Sequence, residues 1–234
     1  MNKRTLLKGW RTIVPIHILF VLIGILPFVN KLKETTLYGF IINWVYQILL
    51  IVFIIMYLKD FLIDAWKRFV SVGIKKNIKT IFLCFLAYVG INIVFQFLSF
   101  MGNVDIGASQ NQSAVRTYIS AYPLVTALLS IVVAPFTEEC IYRGIIYHTI
   151  RKYSKIGAII GTGLMFGFLH VISTIVKENV GIGQILYLII NYSIGGIFLA
   201  LVQERYKNIW NCYFVHVLWN TLGTLPAVIV ALMK

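Results

Sequence analysis

Acidic side chains are scarce in this chain, with 8 Asp and Glu against 21 Lys and Arg in 234 residues, and charged residues of both signs reach only 12%. Soluble domains carry roughly a quarter, so a water-exposed globular domain is excluded. Cysteine is also rare. Cys84, Cys140 and Cys212 lie in apolar stretches without metal-type spacing, which excludes a disulfide framework and a cysteine-zinc site and leaves three buried thiols. No His-Glu-x-x-His segment occurs, and no Ser or Cys stands out beside a His and an acid as a nucleophile. Inverted repeats with matching broken helices are not evident, which ranks a transporter low.

What the chain has in abundance is apolar sequence, 59% of its residues, with a mean hydropathy of +0.86. A membrane span needs about 20 such residues. Seven stretches qualify, at roughly 11–29, 37–58, 79–100, 120–150, 156–174, 183–202 and 209–232. The expected fold class is an all-α polytopic transmembrane helical bundle with seven or eight spans. An eighth would come from the fourth stretch, which is too long for one span and carries Pro123 and Pro135, each able to break a helix. Residues 1–118 are expected to form N-terminal spans with a basic interfacial segment, and 119–234 a catalytic membrane core, in one integral membrane unit.

A net charge of +13 invites a nucleic-acid reading, but the positions of the cations point to membrane lipid and exclude nucleic acid as a partner. Lys3, Arg4, Lys8 and Arg11 precede the first span, and Lys59, Lys67, Arg68, Lys75, Lys76 and Lys79 follow the second. Arg151, Lys152 and Lys155 follow the fourth, and Arg205 and Lys207 the sixth. These are 15 of the 21, all on alternate loops. Lys31, Lys33, Arg116, Lys177 and Lys234 are left for the other side, and Arg143 lies within the fourth apolar stretch. The positive-inside bias therefore predicts a multi-pass protein of the cell membrane, N-terminus cytoplasmic and C-terminus external. The first apolar stretch is too long for a signal peptide and is expected to be retained.

Residues 59–80 read as a basic, partly amphipathic segment lying along the inner headgroup surface. Residues 101–117, rich in Asn, Gln, Ser and Gly, read as an external linker without chemistry. Gly157, Gly161, Gly163 and Gly167 form small-xxx-small patterns that let helices approach closely in lipid, and Gly195 and Gly196 suit the same use. Asn92, Gln96 and Asn191 read as interhelical hydrogen-bond residues, while His17 and His148 are given no role.

Polar groups inside the later spans need a shared reason, because ionisable side chains in hydrocarbon are costly without partners. Residues four apart share a helix face, so Glu139 projects with Arg143, Phe166 with His170, and His216 with Asn220. With about 1.5 Å rise per residue, Glu138, His170, His216 and Asn220 lie roughly 20, 22, 14 and 20 Å from the basic residues at the ends of their spans. They fall at comparable depth. A carboxylate and an imidazole together can hold and deprotonate water, and a second imidazole with an amide can donate to an oxyanion, a set that supports peptide-bond hydrolysis.

Glu138-Glu139-xxx-Arg143, Phe166-xxx-His170 and His216-xxx-Asn220 resemble, in order and spacing, the three motifs of the CPBP family of CAAX proteases and bacteriocin-processing enzymes, also called Abi, which includes the type 2 CAAX prenyl endopeptidases. The likeness covers about residues 120–232. It implies an intramembrane endopeptidase in which Glu138 and His170 activate water, His216 and Asn220 form the oxyanion site, and Glu139 and Arg143 support them. No cofactor is required in the preferred reading; if a divalent metal such as zinc took part, Glu138, His170 and His216 would be its protein ligands. The implied substrate is a membrane-associated peptide or protein, arriving through the membrane or at its inner surface. Peptide processing or bacteriocin self-immunity ranks above CAAX cleavage. The alternative is a non-proteolytic immunity or binding protein with the same fold.

Overall fold

In hydrocarbon a chain must satisfy its backbone internally, and each apolar stretch does so as a helix. The computed structural model describes residues 3–23, 36–104, 107–177 and 180–233, and all regular structure among them is helical. The end of the first expected span, with Lys31, Lys33 and Lys234, lies outside the described residues. In chain order the elements are α1 (Lys3–Arg11), α2 (Ile13–Ile23), α3 (Thr36–Ser71), α4 (Ile74–Met101) and α5 (Gln110–Ala121), then α6 (Pro123–Ile150), α7 (Lys155–Lys177), α8 (Ile182–Tyr206) and α9 (Ile209–Leu232). Counting α1 and α2 as one rod, seven described helices are long and apolar enough to cross a membrane. The chain is an all-α polytopic bundle. Consecutive spans reverse direction, so the start of α1 and the α3–α4, α6–α7 and α8–α9 turns share one basic rim.

Two connecting segments belong to helices, one of them against expectation. Residues 59–71 continue α3, which at 36 residues is about 54 Å long and outreaches a hydrocarbon layer of about 30 Å. The extension persists because Leu58, Leu62, Ala65 and Phe69 form a buried stripe along it while Lys59, Lys67 and Arg68 face out. Gly73, at φ 93°, then sends the chain straight back into α4, and Asn77 Nδ2 donates to the Phe69 carbonyl across the turn. Of the linker expected over residues 101–117, residues 110–117 are instead helical, as the first part of α5. Ser109 caps α5 in a capping box with Gln112, and its hydroxyl pairs with Tyr192 of α8 at 2.8 Å.

The expected break in the fourth span falls at its first proline alone. Pro123 opens α6 at a position where its missing N–H costs nothing. Pro135 is carried inside α6 by a π-helical turn over Leu128–Val133, in which Ala134 N–H reaches the Leu129 carbonyl. One register on, the partner of the Ser130 carbonyl is Pro135 itself, which has no hydrogen to give. A second π-helical turn spans Cys140–Tyr147, and His148 Nδ1 lies 2.6 Å from the Arg143 carbonyl.

One buried cluster joins Ile13 and Val14 of α2, Leu50, Ile54 and Leu58 of α3, Ile141, Tyr142 and Ile145 of α6, and Phe166 of α7. The expected glycine contacts hold for only part of the set. A Cβ on Gly163 would stand 2.7 Å from the Ile197 nitrogen, one on Gly196 2.8 Å from Gly163 Cα, and one on Gly167 2.7 Å from the Ile189 carbonyl oxygen. Gly161 faces open packing, with only Ile150 Cδ1 at 3.8 Å. Gly163→Ala and Gly196→Ala are therefore each expected to destabilise the bundle by about 1–3 kcal/mol, with Gly161→Ala near neutral, as thermal unfolding in detergent would read. Gln96 accepts from Tyr187 across α4 and α8 at 2.8 Å, as expected, whereas Asn92 Nδ2 bonds back to Tyr88 in its own helix.

Candidate active site

Adjacent helical residues point about 100° apart, so Glu138 and Glu139 of α6 cannot share a surrounding. The Glu139 carboxylate is 1% exposed, and its Oε1 accepts from Arg143 Nη1 and from His216 Nδ1, each at 2.9 Å. Arg143, fully buried, also donates Nη2 to the Gly196 carbonyl at 2.7 Å and lies over the Phe166 ring at 5.3 Å. The pair is thus a neutral buried unit wedged between α6, α8 and α9. Glu138 is 19% exposed and faces a cavity of about 1140 Å³.

Both motif histidines turn to Glu138. His170 Nε2 is 3.8 Å from Glu138 Oε1, and His216 Nε2 is 3.7 Å from Oε2. These separations are too long for direct hydrogen bonds and suit a bridging water. The ring partners assign the tautomers. His170 Nδ1 lies 2.8 Å from the Phe166 carbonyl, an acceptor only, so it carries the proton. His216 Nδ1 donates to Glu139 by the same logic. In the neutral rings both Nε2 lone pairs then point at the Glu138 carboxylate. His170 is held between the Phe166 and Tyr192 rings, with centroids 4.1 and 4.8 Å away.

Asn220, one turn beyond His216 on α9, also lines the cavity. Its Nδ2 donates to the Ser130 carbonyl at 2.8 Å, the group that Pro135 leaves without a backbone donor. Asn220→Ala is expected to lower unfolding stability by about 1–3 kcal/mol through that orphaned carbonyl, measurable by thermal unfolding in detergent. One amide hydrogen and the Asn220 oxygen remain for a bound group.

The structure thus brings Glu138, His170 and His216 into one cluster, sets Asn220 on the same cavity wall, and places Glu139 and Arg143 directly behind it. It also recruits residues that motif spacing does not reach. His17 pairs with the hydroxyls of Tyr46 and of Tyr142, the latter at 3.1 Å, and lines the cavity beside Glu138. Thr137 donates to Gln47 of α3 at 2.7 Å. An ionisable residue inside a span was the one available signal for His17; the tyrosines gave none, because aromatic residues fill membrane cores everywhere.

Among the described residues no group of three or more His, Cys, Asp or Glu side chains is drawn together closely enough to hold a metal ion. The donor chemistry nevertheless fits one. Two imidazoles whose Nδ1 positions are engaged by a carboxylate and a backbone carbonyl, facing a third group that is a carboxylate, match the ligand types and supporting bonds of a catalytic zinc site.

Residues 120–222 match the family model described as "Type II CAAX prenyl endopeptidase Rce1-like". Over 121 residues the chain is 25% identical to the UPF0177 protein YvdC of Lactococcus lactis subsp. lactis (strain IL1403), a stretch covering 52% of this chain and 42% of that protein. The chain therefore spans less than half the length of that curated relative. No solved structure matches.

Proposed function

We propose, from the match of residues 120–222 to the Rce1-like type II CAAX prenyl endopeptidase model, that the protein is an intramembrane endopeptidase acting on a membrane-associated peptide or protein. One observation carries the reading: a cavity-facing carboxylate, Glu138, flanked at 3.7–3.8 Å by two imidazole nitrogens whose opposite sides are already bonded. Glu138 takes a proton from a water that His170 Nε2 orients, and the hydroxide attacks the scissile carbonyl. Asn220 donates its remaining N–H to the oxyanion. His216 joins it in the doubly protonated form, in which Nδ1 donates to Glu139 and Nε2 toward the oxyanion. As the C–N bond breaks, Glu138 returns the proton to the leaving amine.

A divalent metal, if bound, would be held by Glu138, His170 and His216 and would supply Lewis-acid polarisation of the carbonyl. The metal-free form is preferred because Glu138 and His170 suffice to hold and deprotonate water. The test is cleavage by purified protein in detergent of three probes: a farnesylated C-terminal peptide, a hydrophobic leader peptide and a single-span membrane protein. Cleavage that survives chelation is expected. Activity lost to chelator and restored by zinc overturns the metal-free part, and failure to cut any probe favours the binding or immunity reading. The physiological role we favour is peptide processing or self-immunity against a membrane-active peptide, ahead of CAAX cleavage.

A further inference from the structure

The cavity is one-sided. Most of its wall runs from the Glu138 cluster away from the basic rim, on α9 from His216 through Asn220 and Thr224 to Ala227, about 16 Å along the helix, and on α7 from His170 through Ser173 to Val176, whereas toward that rim the lining stops at Tyr142, Phe166 and Leu199. Its far edge is α5, where residues 111–119 line it and Ser113, Arg116 and Thr117 are exposed. Toward the basic rim the bundle is closed. Ile145, Ile146 and Tyr147, below the cluster on α6, are at most 2% exposed and do not line the cavity. Beneath them Glu204 ties the rim together, accepting from Arg151 at 2.8 Å and pairing with Lys207 at 2.7 Å and with the Tyr147 hydroxyl.

The wall is also rich in amides. Asn43, Gln47, Asn92, Asn111, Asn191 and Asn220 all face this cavity inside or beside a membrane span. Carboxamides offer both donors and acceptors, which an extended peptide backbone can meet at every residue. Asn43, Gln47, Asn92 and Asn220 each already spend one polar atom on the protein, and an isoprenyl chain would desolvate the remaining amide groups without pairing them, at a cost.

We infer that the catalytic cavity is entered from the rim opposite the basic one, the external side, and that its substrate is an extended, unprenylated peptide segment presented there. The inference rests on the endopeptidase reading for its chemistry, and on the positive-inside distribution for its direction. It replaces the expected approach from the inner surface, since that side is filled by packed side chains and an ion cluster.

Single cysteines in a Cys84→Ser background test it, the two other cysteines being buried. Ser113→Cys reports the cavity edge, Ser173→Cys and Ser130→Cys the interior, and Tyr153→Cys, at a position 88% exposed, the basic rim. With a membrane-impermeant maleimide on intact cells, the first three are expected to label as fully as after permeabilisation, and Tyr153→Cys only after it. Two interior positions keep one misfolded variant from deciding the result. The reverse pattern, or interior labelling only after permeabilisation, overturns the inference. A paired reporter carries the same extended linker on the external or the cytoplasmic side of one transmembrane helix. Cleavage of the external form alone supports the inference, and cleavage of the cytoplasmic form alone overturns it. If the labelling pattern holds but neither reporter is cut, access stands and the endopeptidase reading falls.

Discussion

Glu138→Gln is expected to reduce peptide cleavage by about 10²–10⁴-fold, the range for loss of a positioned general base, with folded yield in detergent unchanged. Glutamine keeps the shape of the side chain. Glu138 faces the cavity, and its imidazole neighbours at 3.7 and 3.8 Å are too far for direct hydrogen bonds, so no packed or bonded structure depends on its charge. The result separates a catalytic carboxylate from a structural one, because the neighbouring glutamate should behave differently. Glu139→Gln removes the counter-charge of buried Arg143 and should lower stability as well as rate. Cleavage by Glu138→Gln at the unaltered rate would sink the proposed mechanism.

The largest stability effect is expected at Arg143. Its Nη1 and Nη2 bond Glu139 and the Gly196 carbonyl, and neither member of the ion pair is more than 1% exposed. Arg143→Ala strands the Glu139 charge in the bundle and opens a hole among α6, α7 and α8. Breaking one half of a buried ion pair costs about 3–5 kcal/mol, enough to abolish folded yield in a protein of ordinary marginal stability. The paired variant Glu139→Gln/Arg143→Met removes both charges and fills part of the volume. It is expected to recover most of the folded yield, read by thermal unfolding, while cleavage stays impaired because His216 loses a charged partner. If the single variant folds normally, the pair is not the internal support that the geometry makes it.

The contrast between the two glutamates is the clearest case of what was and was not legible. Their motif is visible in the residues, and so is the need for partners, since ionisable groups in hydrocarbon demand them. Which carboxylate faces the cavity depends on the rotation of α6, and that rotation is shifted by two π-helical turns with no sequence signal beyond Pro135. The link between Pro135 and Asn220 is similar. They are 85 positions apart, and only the folded chain sets the Asn220 amide against the Ser130 carbonyl that the proline orphans.

The charge distribution along the chain and its seven apolar stretches determine by themselves that this is a membrane bundle, roughly where its spans lie, and which rim is basic. The solvent is severe enough that composition alone decides. The linker expected over residues 101–117 was misread for a corresponding reason. What ties residues 110–121 and the end of α3 into the bundle are contacts made far away in sequence, Ser109 bonded to Tyr192 of α8 and Phe69 in a cluster with Val215 of α9. Only the tertiary structure decided the tautomers of His170 and His216, the recruitment of His17, and the side on which the cavity opens, because each is set by which surfaces meet across helices.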